Sequence, residues 1–545
     1  MKLSHTIRNA LLTALLGACA TASAQILPAA PLPPDAGALQ RSQQQQQDFL
    51  NTPAQSPQAQ QPVIRDERGQ DKDTLSESTA RFVLKNLVFT ASNYLSEAEL
   101  QGIAQKHIGQ EVTYADLQAI LAEINTLYRD HKILTARAIL PPQKVTDGTV
   151  HIELVEGKLG KINIEGNQIT DTDWIKNWLD MKSDQPLDTG KLQDRIELYN
   201  HVSATQLGAS LKPGETFGYT DLAIQVKEPP HYQLGVFGDN LGSPSVGRNE
   251  IGLNGAINGI FGIDDRFGVY AVHSSGSDSA AINYAVPVNH SGGRVQVSYS
   301  DLQTHVTSGP YADFNVRGNS RNAQIQLSQP LARWDEWWLD GSASGARTQS
   351  SNTLLSADLG STTVTSFSLG LAASALYDNR SFTLSLTDAW NKMNSDTNGD
   401  RNANVWTLNS TWIEKVSDVQ YTLIRVGMQQ TSAALVASSV AMQLGGANTV
   451  RGYSLGAISG DKGYYSNLEW HHHLFGGVGG YFFSDWGHVS TSGVPSQTIS
   501  SLGLGADASP WKNTAFNLTV AHAMKEVETD QTKTLVMVRL SWQML

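Results

Sequence analysis

Val536-Met537-Val538-Arg539-Leu540-Ser541-Trp542 alternates strictly near the end of the chain: Val536, Val538, Leu540 and Trp542 fall on one side of an extended backbone, Arg539 and Ser541 on the other. Successive side chains of a strand point to opposite faces, so this stretch predicts a strand with one apolar and one polar face. Further back, Arg294–Ser300 (RVQVSYS) and Gln324–Ser328 (QIQLS) alternate in the same way. Clusters such as SSGSDS, NSDTNGDRN and ISGDKG separate the runs and read as loops. The pattern holds from about Tyr232 to Leu545.

Strands of this kind suit a soluble sandwich or a transmembrane barrel. The barrel is favoured by alternation sustained over about 315 residues, by the clean separation of apolar from polar faces, and by ten of the 12 tryptophans falling in this portion, as aromatic girdles require. A closed barrel also leaves no backbone group unpaired in lipid. At roughly 20 residues per strand and connection, the portion holds about 16 strands around a water-filled lumen.

The N-terminus supports an exported protein. Lys2 and Arg8 precede an apolar run from Ala10 to Ala20, and Ala22-Ser23-Ala24 offers a small-residue cleavage site. Leu16-Gly17-Ala18-Cys19 also has the pattern of a lipoprotein acylation site; cleavage after Ala24 removes Cys19, the one cysteine. Beyond the signal no apolar run approaches the roughly 18–20 residues of a transmembrane helix. The formal charge of −12, with no clustered basic surface, argues against a nucleic-acid partner.

Residues 25 to about 74 are Pro- and Gln-rich, with too few large apolar side chains for a core. Within them Pro34–Leu50 suits one helix, polar nearly all round, either a flexible tail or a helix docked in a wet cavity. Between residues 80 and 230 a β-α-α-β-β unit occurs twice: QEVTYADLQAILAEIN in the first copy answers QPLDTGKLQDRIELYN in the second. Each copy has an apolar sheet face and two amphipathic helices, enough for a small α+β domain.

Three stretches invite chemistry. Gly452-Tyr453-Ser454-Leu455-Gly456 has the G-x-S-x-G pattern of a nucleophile elbow, but Gly456, Gly460 and Gly463 follow where that elbow needs a helix. His471 and His473 share a strand face with Glu469 and Asn467, a single strand where a metal needs convergent ligands from several elements. Arg451 lies in a glycine-flanked segment with no local carboxylate, so it either stays in water or finds a partner elsewhere. By parity Asp485 shares a face with Phe483 and Tyr481, and an Arg451–Asp485 pair inside a barrel would pin a long loop to the wall. No metal and no cofactor is expected, and with no G-x-x-x-x-G-K-[ST] motif any work of transport must be driven from outside.

Together these features resemble the two-partner secretion (TpsB) transporters of Gram-negative outer membranes, which belong to the POTRA-plus-barrel superfamily and to type V secretion. The resemblance covers essentially the whole chain after the signal. It rests on the Gln-rich segment, on Leu140-Pro141-Pro142-Gln143 and Val155-Glu156-Gly157 in the first unit, and on Gly238-Asp239-Asn240-Leu241-Gly242 at the first barrel strand. It is most specific at Val450-Arg451-Gly452-Tyr453, which matches the family's loop-tip motif, and at Phe483-Ser484-Asp485-Trp486-Gly487, which matches its F-x-D-x-G strand motif.

The resemblance implies a signal peptide (1–24), a segment with a plug helix and linker (25–79), POTRA-like domains at 80–157 and 158–230, and a 16-stranded transmembrane β-barrel from 231 to 545. It implies the pair Arg451–Asp485, a loop motif with Val450, Gly452 and Tyr453, and a strand motif with Phe483 and Gly487. It implies an outer-membrane translocator, not an enzyme, that takes an unfolded exoprotein (adhesin, haemolysin or contact toxin) from periplasmic POTRA domains through its barrel. The partners would be that client, outer-membrane lipids and, during biogenesis, the barrel-assembly machinery. A barrel-assembly insertase, a porin-like channel and an esterase built on Ser454 are the rival readings.

Overall fold

Alternation of polar and apolar side chains fixes which face of each strand meets lipid, and sixteen such strands close on themselves from Tyr232–Asp239 to Thr534–Gln543 in the computed structural model. The structure describes residues 35–51, 63–67, 81–397, 399–528 and 531–544. The expected signal peptide, with Cys19, lies outside them. Every neighbouring barrel pair is antiparallel, and the closing seam is the shortest ladder, five positions from Gly235↔Gln543 to Asp239↔Arg539. Asn240 extends it with side-chain bonds to the backbone of Val536 and Val538 (both 2.8 Å), and Arg539 meets Asp239 at 2.6 Å.

The outward residues form two aromatic levels. Trp337, Phe382 and Trp412 share one cross-strand row at the periplasmic ends of their strands. Phe367, Trp390 and Trp406 sit toward the extracellular ends. Eight residues separate Phe382 from Trp390, about 20 Å along the membrane normal for a strand tilted by roughly 40°. Arg539 and Ser541 face the lumen and Val536, Val538 and Leu540 the lipid.

Two α+β units precede the barrel. In the first, strands Asn86–Phe89, Thr149–Glu156 and Ala136–Ile139 form a sheet in that order. Buried Val150, Ile152 and Leu154 on it meet Leu117, Ile120, Ile124 and Tyr128 of one of the two covering helices. Ser96 and Thr113 cap those helices with capping boxes completed by Glu99 and Asp116. Hydrogen bonds from Ser96 hold the Glu99 carboxyl well below the usual range, at about 2. The cap is therefore fully formed above the ordinary carboxylate range and lost only as pH falls through about 2. In the second unit Ile175, Trp178, Ile196 and Tyr199 pack on strands Gln206–Pro213, Tyr219–Lys227 and Lys158–Glu165.

The second unit also carries a strand that its own sequence does not supply. Ile64–Asp66, from the segment expected to be linker, pairs parallel with Gln206–Pro213. The Ala209 amide donates to Val63 O (2.7 Å) and the Glu67 amide to Leu211 O (3.0 Å). This edge of the sheet is thus occupied by the chain itself. The unit is tied to the barrel rim: His201 stacks on Trp338 (4.1 Å, 6°) and bonds Asp340 at 3.0 Å, and Arg333 pairs with Glu197.

The Gln-rich stretch forms helix α1 (Ala36–Asn51), and it lies inside the lumen. Asp35 caps it, accepting from the Ala38 amide at 3.0 Å and from Asn352 at 2.8 Å. Gln40 bonds Ser300 and Ser320, while Arg41 donates to Ser439 O (3.1 Å) and Gln429 (2.9 Å). A polar helix against a serine- and glutamine-lined wall explains its composition: the lumen replaces many of the hydrogen bonds that water would make, though among the described residues Arg41 Nε, Gln43 Oε1 and Gln46 Oε1 are buried without a partner.

Candidate functional site: a loop pinned to the lumen wall

Residues 432–461 connect strands Gln420–Thr431 and Lys462–Phe475 and fold back into the barrel. A short pairing of Met442–Leu444 with Ile458–Gly460 stiffens the loop. Its tip holds Val450, Arg451, Gly452 and Tyr453, all buried, with Gly452 at φ +86° where other residues are strained.

Arg451 reaches the next strand but one. Its Nε and Nη2 donate to the two oxygens of Asp485, each at 2.7 Å, and its own backbone amide donates to Asp485 Oδ2 at 3.0 Å. Arg451 is 6% and Asp485 1% exposed, so the fork-on-fork pair is made out of water, where such bonds are strongest. The guanidinium also lies 3.6 Å from the centroid of Phe483. Asn467 donates to Asp485 Oδ1 (2.8 Å) and to Thr449 O, so the same wall residue holds both the aspartate and the loop backbone.

The pair is part of a larger set. Arg451 Nη1 contacts Glu469 at 3.0 Å; Glu469 also meets Arg425 at 3.3 Å and His471 at 2.7 Å. Two arginines and two carboxylates thus balance in one buried cluster. His471 is stacked between Tyr421 (4.3 Å) and Tyr481 (4.8 Å), its Nε2 committed to Glu469. Tyr453 seals the other side: its hydroxyl donates to Ser500 O (3.0 Å) and accepts from the Lys525 amide (3.2 Å).

Glycines make room for these contacts. A Cβ on Gly487 would stand 2.9 Å from Val450, so the wall is flat where the loop tip seats. Gly503, on the neighbouring strand, does the same for the Phe483 ring, which a Cβ there would overlap. Sequence alone points to Arg451, Asp485 and their motif neighbours but not to Arg425 or to the seats at Gly503 and Gly505, the latter leaving room for the Tyr481 ring. Only cross-strand register brings those into the site. Gly503→Val should push Phe483 out from under Arg451 at a cost of about 1–3 kcal/mol. The expected result is a lower temperature for loss of the compact, fast-migrating form on gels, and an unchanged temperature would count against the seat.

Ser454 lies beside the site but outside its chemistry. Its Oγ donates to Glu528 at 2.9 Å on the exposed side of the loop. The histidines downstream bond elsewhere: His488 to Thr498 (2.8 Å) and His522 to Thr534 (2.9 Å).

Comparison with known proteins agrees with this architecture. Residues 218–508 match the family model described as haemolysin secretion/activation protein ShlB/FhaC/HecB, and residues 82–157 match the ShlB-type POTRA domain. The heme/hemopexin transporter protein HuxB of Haemophilus influenzae (strain 86-028NP) is 23% identical over 457 residues, 78% of this chain and 80% of that protein. The outer membrane transporter CdiB of Dickeya dadantii (strain 3937) is 23% identical over 451 residues, 78% of this chain and 79% of that protein. Among solved structures, CdiB from Escherichia coli superposes with a TM-score of 0.72 at 19% identity, covering 94% of this chain and all of that one. BamA from Haemophilus ducreyi lacking POTRA domains 1–3 gives 0.51 at 13% identity, with 85% and 100% covered, a likeness of fold. With its barrel and POTRA unit both matched, the chain belongs to the ShlB/FhaC/HecB family of two-partner secretion transporters of the outer membrane.

Proposed function

We propose that this protein secretes a large exoprotein through its own barrel. The client arrives unfolded in the periplasm, is held by the two POTRA domains, and crosses the lumen once α1 has left it. The observation that carries the proposal is the lumen's occupant: a helix retained chiefly by reversible polar bonds, with Leu39 against Val246 and Leu302 as a small apolar contact. The pinned loop, with Arg451 on Asp485, is the lumen's second movable element, and the strand Val478–Thr491 that carries Asp485 is its fixed wall. No chemical step is needed, so the protein acts as a translocator and not as an enzyme. It needs no cofactor, and folding of the client outside the cell supplies the drive. Outer-membrane lipids surround the barrel, and the barrel-assembly machinery inserts it.

An extended client gains backbone hydrogen bonds by adding a strand at a sheet edge, without demanding one sequence. The edge at Gln206–Pro213 becomes available to the client when Ile64–Asp66, which pairs there in the same way, is displaced. Ala209→Pro removes the donor that serves this edge while leaving the strand's other side paired. Binding of a soluble N-terminal client fragment to the purified full-length variant is expected to weaken by about tenfold, one lost bond plus a blocked register. Unchanged affinity in fluorescence anisotropy would move the client to another surface.

The function itself is tested in cells that carry this chain with a neighbouring exoprotein gene. Deleting the chain should leave the exoprotein in the cells, while Ser454→Ala should secrete normally and the wild-type protein should resist an acyl-serine probe. Secretion that continues without the chain, or that stops with Ser454→Ala alone, overturns the proposal.

A further inference from the structure

The outer wall of the barrel carries two cations whose place is not explained by transport. Ala346, Thr348, Val364, Ser366, Ala389 and Asn391 line the lumen, so Arg347, Thr365, Phe367, Trp390 and Lys392 face outward by parity. Arg347 pairs across the ladder with Thr365, and Thr365 with Lys392. One register step toward the membrane centre lie Phe367 and Trp390, stacked at 5.8 Å and 22° in the upper aromatic level. Arg347 is ten residues from Trp337 of the periplasmic level, roughly 25 Å along the membrane normal, which puts it where lipid headgroups begin.

Arg347 and Lys392 are exposed, and among the described residues neither has a hydrogen-bond or ion-pair partner. Nearby charges on this face are engaged: Arg321 meets Asp301 at 2.8 Å, and Asp388, below Trp390, accepts from Asn404 at 2.6 Å. Two unpaired cations two strands apart, about 10 Å across the strand that carries Thr363 and Thr365, flank those hydroxyls above stacked rings and could close on one anion whose attached chains run down the aromatic wall. Arginine and lysine both bind phosphate, and rings at this depth pack on the first methylenes of acyl chains.

We infer that Arg347 and Lys392 hold a phosphate of the phosphorylated glycolipid of the outer leaflet, with Phe367 and Trp390 against its acyl chains. The inference rests on the barrel's place in the outer membrane and does not depend on the client. The test is native mass spectrometry of the full-length protein in detergent with added bis-phosphorylated lipid A. Arms use lipid A stripped of phosphate, phosphatidylglycerol, and inorganic phosphate as competitor.

The wild-type protein should retain lipid A, and Arg347→Gln/Lys392→Gln should retain at least about tenfold less, as expected when two charge-assisted contacts are lost. Arg347→Lys/Lys392→Arg should keep it, and the fast-migrating gel form confirms that each barrel is folded. Equal retention by the double glutamine variant overturns the site. Equal retention of dephosphorylated lipid A overturns the phosphate, and equal retention of phosphatidylglycerol overturns the outer-leaflet assignment. Full displacement by millimolar inorganic phosphate would reduce the site to a free-anion site and overturn the role of the rings.

Discussion

Arg451→Ala should abolish most secretion while leaving the barrel in the membrane. The reason is the balance of the buried cluster: Arg451 and Arg425 against Asp485 and Glu469. Removing one cation leaves a surplus carboxylate in a site from which water is excluded, and breaking a buried pair in this way costs roughly 3–5 kcal/mol. The strand wall is held by its own ladders on both sides, so the cost falls on the loop, which lifts from Phe483 and Asn467. Secretion is expected to drop by more than about tenfold at equal levels of folded barrel.

Arg451→Lys should fall almost as far, because an ammonium cannot span both oxygens of Asp485 and still reach Glu469. Asp485→Asn should be milder: the amide keeps one acceptor, and Arg451 keeps Glu469. Immunoblots of culture supernatant, normalised to barrel in isolated outer membranes, order the three variants. Wild-type secretion by Arg451→Ala would remove the pinned loop from the mechanism.

Much of this site is legible in the amino-acid sequence. Period two over the last three hundred or so residues gives strands, and alternation gives the face of each. That is why Asn467, Glu469 and Asp485 can be set on one side of the wall. The two helix starts at Ser96 and Thr113 follow from capping boxes, a local code. Register is not local. Whether Arg425 lies opposite Asn467, or Gly503 opposite Phe483, depends on how far each strand slides past its neighbour, and loops of varying length conceal that. The strand Ile64–Asp66 is illegible for another reason: three residues have no periodicity, and their partner lies about 145 residues away. Composition alone does not separate a free Gln-rich tail from a docked helix, since a polar surface suits water and a wet lumen equally.

The same polar surface predicts the effect of taking the helix away. A 16-stranded barrel is wide enough for an aqueous channel once nothing fills it. Deleting residues 35–51 should therefore raise single-channel conductance severalfold in planar bilayers and admit antibiotics too large for porins. A tether separates this from a change in the barrel. A Cβ on Gly37 of α1 would stand 3.2 Å from Ser350 Oγ on the wall, within the reach of a disulfide. If cleavage after Ala24 removes Cys19, Gly37→Cys/Ser350→Cys would be the only thiol pair in the mature chain. Oxidised, the pair should hold conductance at its low resting value and stop secretion; reduced, it should restore both, because only the helix has been released. If the oxidised protein still secretes, the client does not need the space that α1 fills, and the route through the lumen is wrong.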